Sequence, residues 1–356
     1  MKKLAIAAAA VAAMSAGVAN AYTSGTYSNG LVVPNVIHNG NTDTTAVGLV
    51  NRSGGLVPVN WVFFDENSTH VRDGCFPMTN NDYEPFIWSQ QSGLGLEGRR
   101  GYLVFALGQT AAGATAATIC NTAEARLPRA IGAGARLAGT AFHVNTAASD
   151  VAYVPVIDGN LQYSNAVITN ARNLRTLTGD DVAAVQGAVT IDNSAGATAA
   201  GAATLGDAFG IGVLLPASQV FTIRYAIDNA VGGVDTTLVS WSTGDQRGSN
   251  PTVFMYNDAQ ADASVNLNLV NRELNAVNAE DIVGRPATFR DGFIEWTVTP
   301  ATYTAFAGGV KAAVPVGPAA PDVADANYRV YSAYTYSVIS APAFGAVQTI
   351  LGSHHN

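Results

Sequence analysis

Two Asp-Thr-Thr triplets stand far apart in this 356-residue chain, Asp43-Thr44-Thr45 and Asp235-Thr236-Thr237. Two aspartates held side by side can share one proton and activate a water for hydrolysis. A second acidic group is Asp65, Glu66 and Asn67, with Asp73 and Asp82 beyond it. These are the hard oxygen donors that Ca2+ prefers, although no Asp-x-Asp-x-Asp-Gly loop is present. Trp88 follows Glu84-Pro85-Phe86-Ile87, adjoins loop chemistry, and is the tryptophan expected to be exposed for stacking on a sugar ring. Trp61, Trp241 and Trp296 fall inside apolar runs and are expected in the core. Cys75 and Cys120 are the only cysteines. Neither has an activating neighbour, so a disulfide is expected rather than a nucleophile.

The paired triplets resemble those of the secreted pepsin-like aspartic proteases, which carry Asp-Thr-Gly or Asp-Ser-Gly in each of two β-rich lobes. The resemblance implies Asp43 and Asp235 as a catalytic pair. Two features oppose it. Thr45 and Thr237 stand where that family has the glycine that lets the carboxylates approach. Asp43 also follows Asn39-Gly40-Asn41-Thr42, which is turn chemistry rather than an apolar strand. The favoured reading is a turn capped by an aspartate, in a protein that is not an enzyme. The five histidines show no zinc spacing, and no nucleophile elbow, Walker loop or haem motif occurs. Ca2+ is the one cofactor for which the sequence offers ligands.

The elements that must position these residues are strands. Runs such as 45–51, 57–64, 102–107, 220–227, 236–241, 252–256, 265–270 and 328–339 are rich in Val, Ile, Thr and aromatics and are broken by Gly, Asn, Asp and Pro. Helical periodicity is scarce. Short helices are expected after Thr178, over 123–131 and over 275–283. Alternation in the last strand gives Tyr334 and Tyr336 a shared face that could meet glycan or another subunit.

Several segments recur in order at a spacing of about 190 residues. Asp43-Thr44-Thr45 matches Asp235-Thr236-Thr237. Val62-Phe63-Phe64 matches Val253-Phe254-Met255. Arg100-Gly101-Tyr102 matches Asp291-Gly292-Phe293, and Phe142-His143-Val144 matches Tyr328-Arg329-Val330. The expected fold is all-β: two tandem, duplicated sandwich units of Ig-like or jelly-roll type with minor short helices. The expected organisation is a signal peptide over 1–21, a first sandwich over 22–160, a connecting segment with an Ala/Gly-rich linker over 161–218, and a second sandwich with the tail over 219–356.

The first 21 residues read as an export signal. Lys2 and Lys3 precede an apolar stretch that ends in Ala19-Asn20-Ala21. No transmembrane segment is expected once it is removed. The net charge of −8 then becomes two units more negative, and Lys311 is the single lysine left. A pI near 5.0 excludes a nucleic-acid partner, which needs a basic face. In composition the mature chain resembles bacterial surface-layer and sheath proteins. The function expected is therefore a structural or adhesive protein, exported to the periplasm or cell surface, that associates with itself or with other surface components. A glycan- or calcium-binding module is the alternative, and the aspartic protease a remote one.

Overall fold

Nine strands make the first unit: β1 (Gly30–His38), β2 (Asp43–Asn51), β3 (Val57–Asp65), β4 (His70–Met78), β5 (Asp82–Ile87), β6 (Arg99–Leu107), β7 (Leu137–Asn145), β8 (Asp150–Val154) and β9 (Ile157–Asp158). The computed structural model describes residues 27–91, 93, 96–130, 133–146, 150–158, 161–184, 189–192, 219–228, 233–242, 246–298, 330–341, 346–351 and 353–355. The export signal, the Ala/Gly linker over 193–201 and Tyr328 and Arg329 of the last repeat match lie outside them. β1 meets β2 at a single pair, His38 with Thr44, so the nine-stranded sheet folds over on itself there. One half, layer A, runs β5-β2-β7-β8. The other, layer B, runs β4-β3-β6-β1-β9. Between them lies a core that includes Val47, Leu49, Phe63, Trp61, Trp88, Leu103 and Phe105.

The second unit repeats this order. Its strands are β13 (Gln219–Ala226), β14 (Asp235–Ser242), β15 (Thr252–Asn257), β16 (Asp262–Asn266), β17 (Leu274–Asn278), β18 (Asp291–Val298), β19 (Val330–Ala341), β20 (Ala346–Leu351) and β21 (Ser353–His355). Layer C runs β17-β14-β19-β20, and layer D runs β16-β15-β18-β13-β21. Strand for strand, this is the arrangement of layers A and B. Phe221, Ile223, Leu238, Met255, Ile294 and Trp296 fill the core between C and D.

Layers B and C share a third core. Val62, Phe64, Tyr102 and Val104 of layer B meet Val239, Trp241, Leu274, Tyr334 and Tyr336 of layer C. Part of the connecting segment is built into it. β10 (Leu161–Tyr163) pairs with β11 (Val182–Ala184), and Leu161, Tyr163, Val167, Leu174, Leu177 and Val182 are buried there. A further strand from that segment, β12 (Val189–Asp192), pairs with β19 and extends layer C. The described strands thus form four stacked sheets, A-B-C-D, with three apolar interlayers, and the edge strands β8 of layer A and β20 of layer C lie side by side.

Strand sequence decides which layer can be internal. β3, VPVNWVFFD, is buried at eight consecutive positions, as a strand covered on both faces must be. Its counterpart β15, TVFMYN, alternates exposed and buried and has one open face. Where the two units pass through the same tight point, both use glycine. A Cβ on Gly101 would lie 2.0 Å from the Phe64 carbonyl oxygen, and one on Gly292 1.8 Å from that of Tyr256.

Four sequence expectations need correction. The segment 275–283 continues β17 to Asn278 and then makes a 3-10 turn at Ala279–Asp281. After Thr178 there is only a 3-10 turn, Gly179–Asp181, closed by a Thr178–Asp181 capping box before the chain extends into β11. The strand expected to reach 270 ends at Asn266. The repeat matches are also out of register, by one residue at β3 and by ten at the last, where Val144 pairs with Thr44 and Ser340 with Asp235, while Val330 pairs with Asp192. Phe63 lies opposite Leu103 and Met255 opposite Ile294, so Val62 corresponds to Phe254. A one-residue slip exchanges the two faces of a strand, which is why the distinction matters below.

Candidate functional site

The aspartates of the two triplets are not brought together. Asp43 lies on the side of β2 that also carries the core residues Val47 and Leu49. Asp235 shares the opposite side of β14 with Val239, which faces layer B. Asp43 contacts His143 and accepts from Asn39 at 3.0 Å. Asp235 accepts from the Thr236 amide at 2.7 Å and from Asn278 at 2.8 Å. The oxygens of each are engaged within their own sandwich, so no proton-sharing dyad forms. What the triplets do build is a corner. Thr45 Oγ1 accepts the Ile37 amide at 3.0 Å, and Thr236 Oγ1 accepts the Ala226 amide at 2.9 Å. Both threonines are buried. The true equivalents are therefore Thr45 and Thr236, and Asp43 has no acidic counterpart.

The oxygen-ligand candidates are dispersed along β4. At one end, Asp65 Oδ1 accepts the Asn67 amide at 3.0 Å and the Thr69 amide at 2.9 Å, closing the β3–β4 turn. At the other end, Asp82 Oδ2 accepts the Thr79 amide at 3.0 Å. Asp73, between them, lies 3.4 Å from His70 Nε2. The carboxyl of Glu66 is raised, chiefly by partial burial. Among the described residues no three His, Cys, Asp or Glu side chains gather as a metal centre.

Trp88 overturns its expectation. It is fully buried, 4.8 Å from Phe63 and 5.8 Å from Trp61 between ring centroids. The 3-10 turn Trp88–Gln90 carries it inward at the end of β5. Tyr334 and Tyr336 are likewise buried between layers B and C, not presented to solvent. Trp61, Trp241 and Trp296 lie in the cores as expected. Cys75 of β4 is bonded to Cys120 in the β6–β7 loop, with Cα atoms 5.8 Å apart.

A buried polar cluster that the sequence gave no reason to single out lies between the units. Glu273, 1% exposed, accepts a hydrogen bond from the Tyr102 hydroxyl across the B–C interlayer. Burial pushes its carboxyl up to about 7, and neither that bond nor the neighbouring Ser68 and Arg272 offsets the desolvation. Burial and the Glu273 charge hold the Tyr102 hydroxyl well above its usual range. Arg272 pairs with Asp180, so the connecting segment joins the same cluster.

The two outermost faces present what the interior does not use. Layer A exposes Tyr83 (61%), Phe142 (38%) and Val151 (56%) on its outward side. Layer D exposes Phe254 (48%) beside Tyr256 and Phe293, whose rings stack at 4.7 Å with an interplanar angle of 18°. The same pair of positions in layer B holds Phe64 and Tyr102, stacked at 5.0 Å and 18° beneath layer C. Layer D therefore carries a half-buried aromatic pair, with no further sheet over it among the described residues, whose twin forms the interface between the two sandwiches.

No family model matches this chain, and no curated protein matches it. Among solved structures, a beta-glucuronidase from glycoside hydrolase family 2 aligns with 94% of this chain at 8% identity and a TM-score of 0.15. The chain spans 24% of that enzyme's length. A likeness at that level carries no argument about fold or activity.

Proposed function

We propose that this chain is an exported structural subunit that associates with itself, or with other surface components, in a surface layer, sheath or matrix. The observation that supports it is the pair of open sheet faces that end the four-layer stack. They carry four of the seven large hydrophobics exposed among the described residues: Tyr83, Phe142, Val151 and Phe254. Apolar side chains gathered on a face mark contact surfaces, whereas scattered ones need no explanation. The lysine-poor composition agrees, because lysine is a common protector of strand edges against association. Export is read from the first 21 residues and agrees with a disulfide-bonded first sandwich.

The test is the mass and particle shape of the chain from Tyr22 onward, by light scattering and negative-stain microscopy, with and without Ca2+. Fibres, tubes or sheets are expected. A monomer at every concentration would overturn the reading and leave a glycan- or calcium-binding module, for which glycan arrays and calcium titration are the next measurements.

A further inference from the structure

We infer that copies of this chain join end to end, with layer D of one molecule seated on layer A of the next. The inference rests on the self-association reading above and names its faces. Within one molecule, layer B of the first sandwich packs on layer C of the second. Layers A and C have the same strand order, and so do layers B and D. The covalent interface is thus one instance of a repeated pairing, a B-type face on an A-type face. Among the described residues, one face of each type is left without a sheet over it. A D-on-A contact would continue A-B-C-D into A′-B′-C′-D′ in the strand order used inside the chain, with Gly48, Val50, Ala138 and Thr140 of layer A standing where layer C has Val239, Trp241, Tyr334 and Tyr336.

Side chains at equivalent positions support that occupant. Val62, Phe64 and Tyr102 of layer B become Phe254, Tyr256 and Phe293 of layer D, so the apolar centre is retained and enlarged. Beside it, on the central strand β18 and its neighbour β13, Val32, Val104 and Ala106 are replaced by Thr222, Glu295 and Thr297. Glu295 lies directly opposite Phe254 and accepts from the Tyr256 hydroxyl at 3.4 Å, so this face mixes aromatic and polar groups, as suits a molecule that is also soluble alone. On layer A, Tyr83 from β5, Phe142 from β7 and Val151 from β8 lie on the outward side of three strands. D and A are different surfaces, so the contact is heterologous. Such contacts generate open chains unless the rotation closes a ring.

The experiment uses full-length mature protein and two single variants, Phe254→Glu on layer D and Tyr83→Glu on layer A. Both side chains are about half exposed or more, and near-UV circular dichroism checks the fold. Thr222→Glu and Val151→Glu serve as second variants of the same faces should either first one misfold. Each variant alone should need about 30-fold higher concentration to assemble, if a central anchor contributes about 2 kcal/mol at 1.4 kcal/mol per tenfold. Mixed in equal amounts, they should form a dimer that grows no further, because only one D face and one A face remain usable. Light scattering reads that doubled mass directly. Wild-type polymers that persist in both variants, or a mixture that yields no dimer, would overturn these faces while leaving self-association intact. A wild-type chain that stays monomeric would overturn both.

Discussion

Glu273 shows how one side chain can couple the two sandwiches to solvent conditions. Its carboxyl titrates near 7 when folded, against an ordinary value of 4.5. The folded state therefore holds an extra proton between those values. Its contribution is full below about pH 4.5 and is lost as pH rises through about 7. A shift of that size corresponds to about 3 kcal/mol at 1.4 kcal/mol per unit. Glu273→Gln keeps an acceptor for Tyr102 and carries no charge. Urea unfolding should find it more stable than wild type at pH 8 and much closer to wild type at pH 5. The twin glycines give a second residue-scale prediction. Gly101→Ala drives a methyl into the Phe64 carbonyl, and loss of about 1–3 kcal/mol or more is expected. Gly292→Ala should behave alike, because its Cβ meets the Tyr256 carbonyl. Sequence marked the glycines correctly, since both sit in one repeat match. It placed Trp88 wrongly, because the turn that carries the ring inward follows from packing against Phe63 and Trp61, which a linear reading does not contain.

At the scale of elements, the strands most legible in the sequence are those with long apolar runs. β3, β6 and β14 lie near their expected limits because their burial requires those runs. β4, HVRDGCFPM, was illegible: it carries charge, Gly and Pro. It lies at the edge of layer B, where only one side must pair and Pro77 is tolerated. β1 was hidden in the same way by Pro34, which sits where its register with β6 shifts between Val33 and Val36. The matched segments were legible in order but not in register: a period of two makes a slip of one residue, as at β3, nearly invisible to composition. The disulfide belongs to this scale, because it ties edge strand β4 to the long β6–β7 loop. Cys75→Ala with Cys120→Ala should lower stability by about 3–4 kcal/mol on the loop-entropy account, read as a fall in Tm that added reductant reproduces in the wild type.

For the whole molecule, the shared B–C interlayer predicts one cooperative transition in place of two. Trp241 lies at its centre, with its ring 6.0 Å from that of Tyr102. Trp241→Ala should cost about 3–5 kcal/mol by opening a cavity between the sandwiches. Differential scanning calorimetry should then show the single peak of the wild type broaden or split as the two units uncouple. The third core was the part of the architecture that the sequence concealed most fully. Two tandem sandwiches joined by a linker describe the strand order, but the segment over 161–184 is wall material of that core rather than tether. Its burial depends on partners drawn from both sandwiches, such as Val62 and Trp241, and no local pattern announces such a meeting.

The two ends of the four-layer stack are unlike surfaces. A chain of molecules built on them is therefore directional, with Tyr83 and Phe142 leading at one tip and Phe254 at the other. A factor that recognised one tip could govern addition there and leave its opposite untouched. Gold-labelled antibodies against the β5–β7 face would decorate only one tip of each particle, and that asymmetry would be visible in a single micrograph.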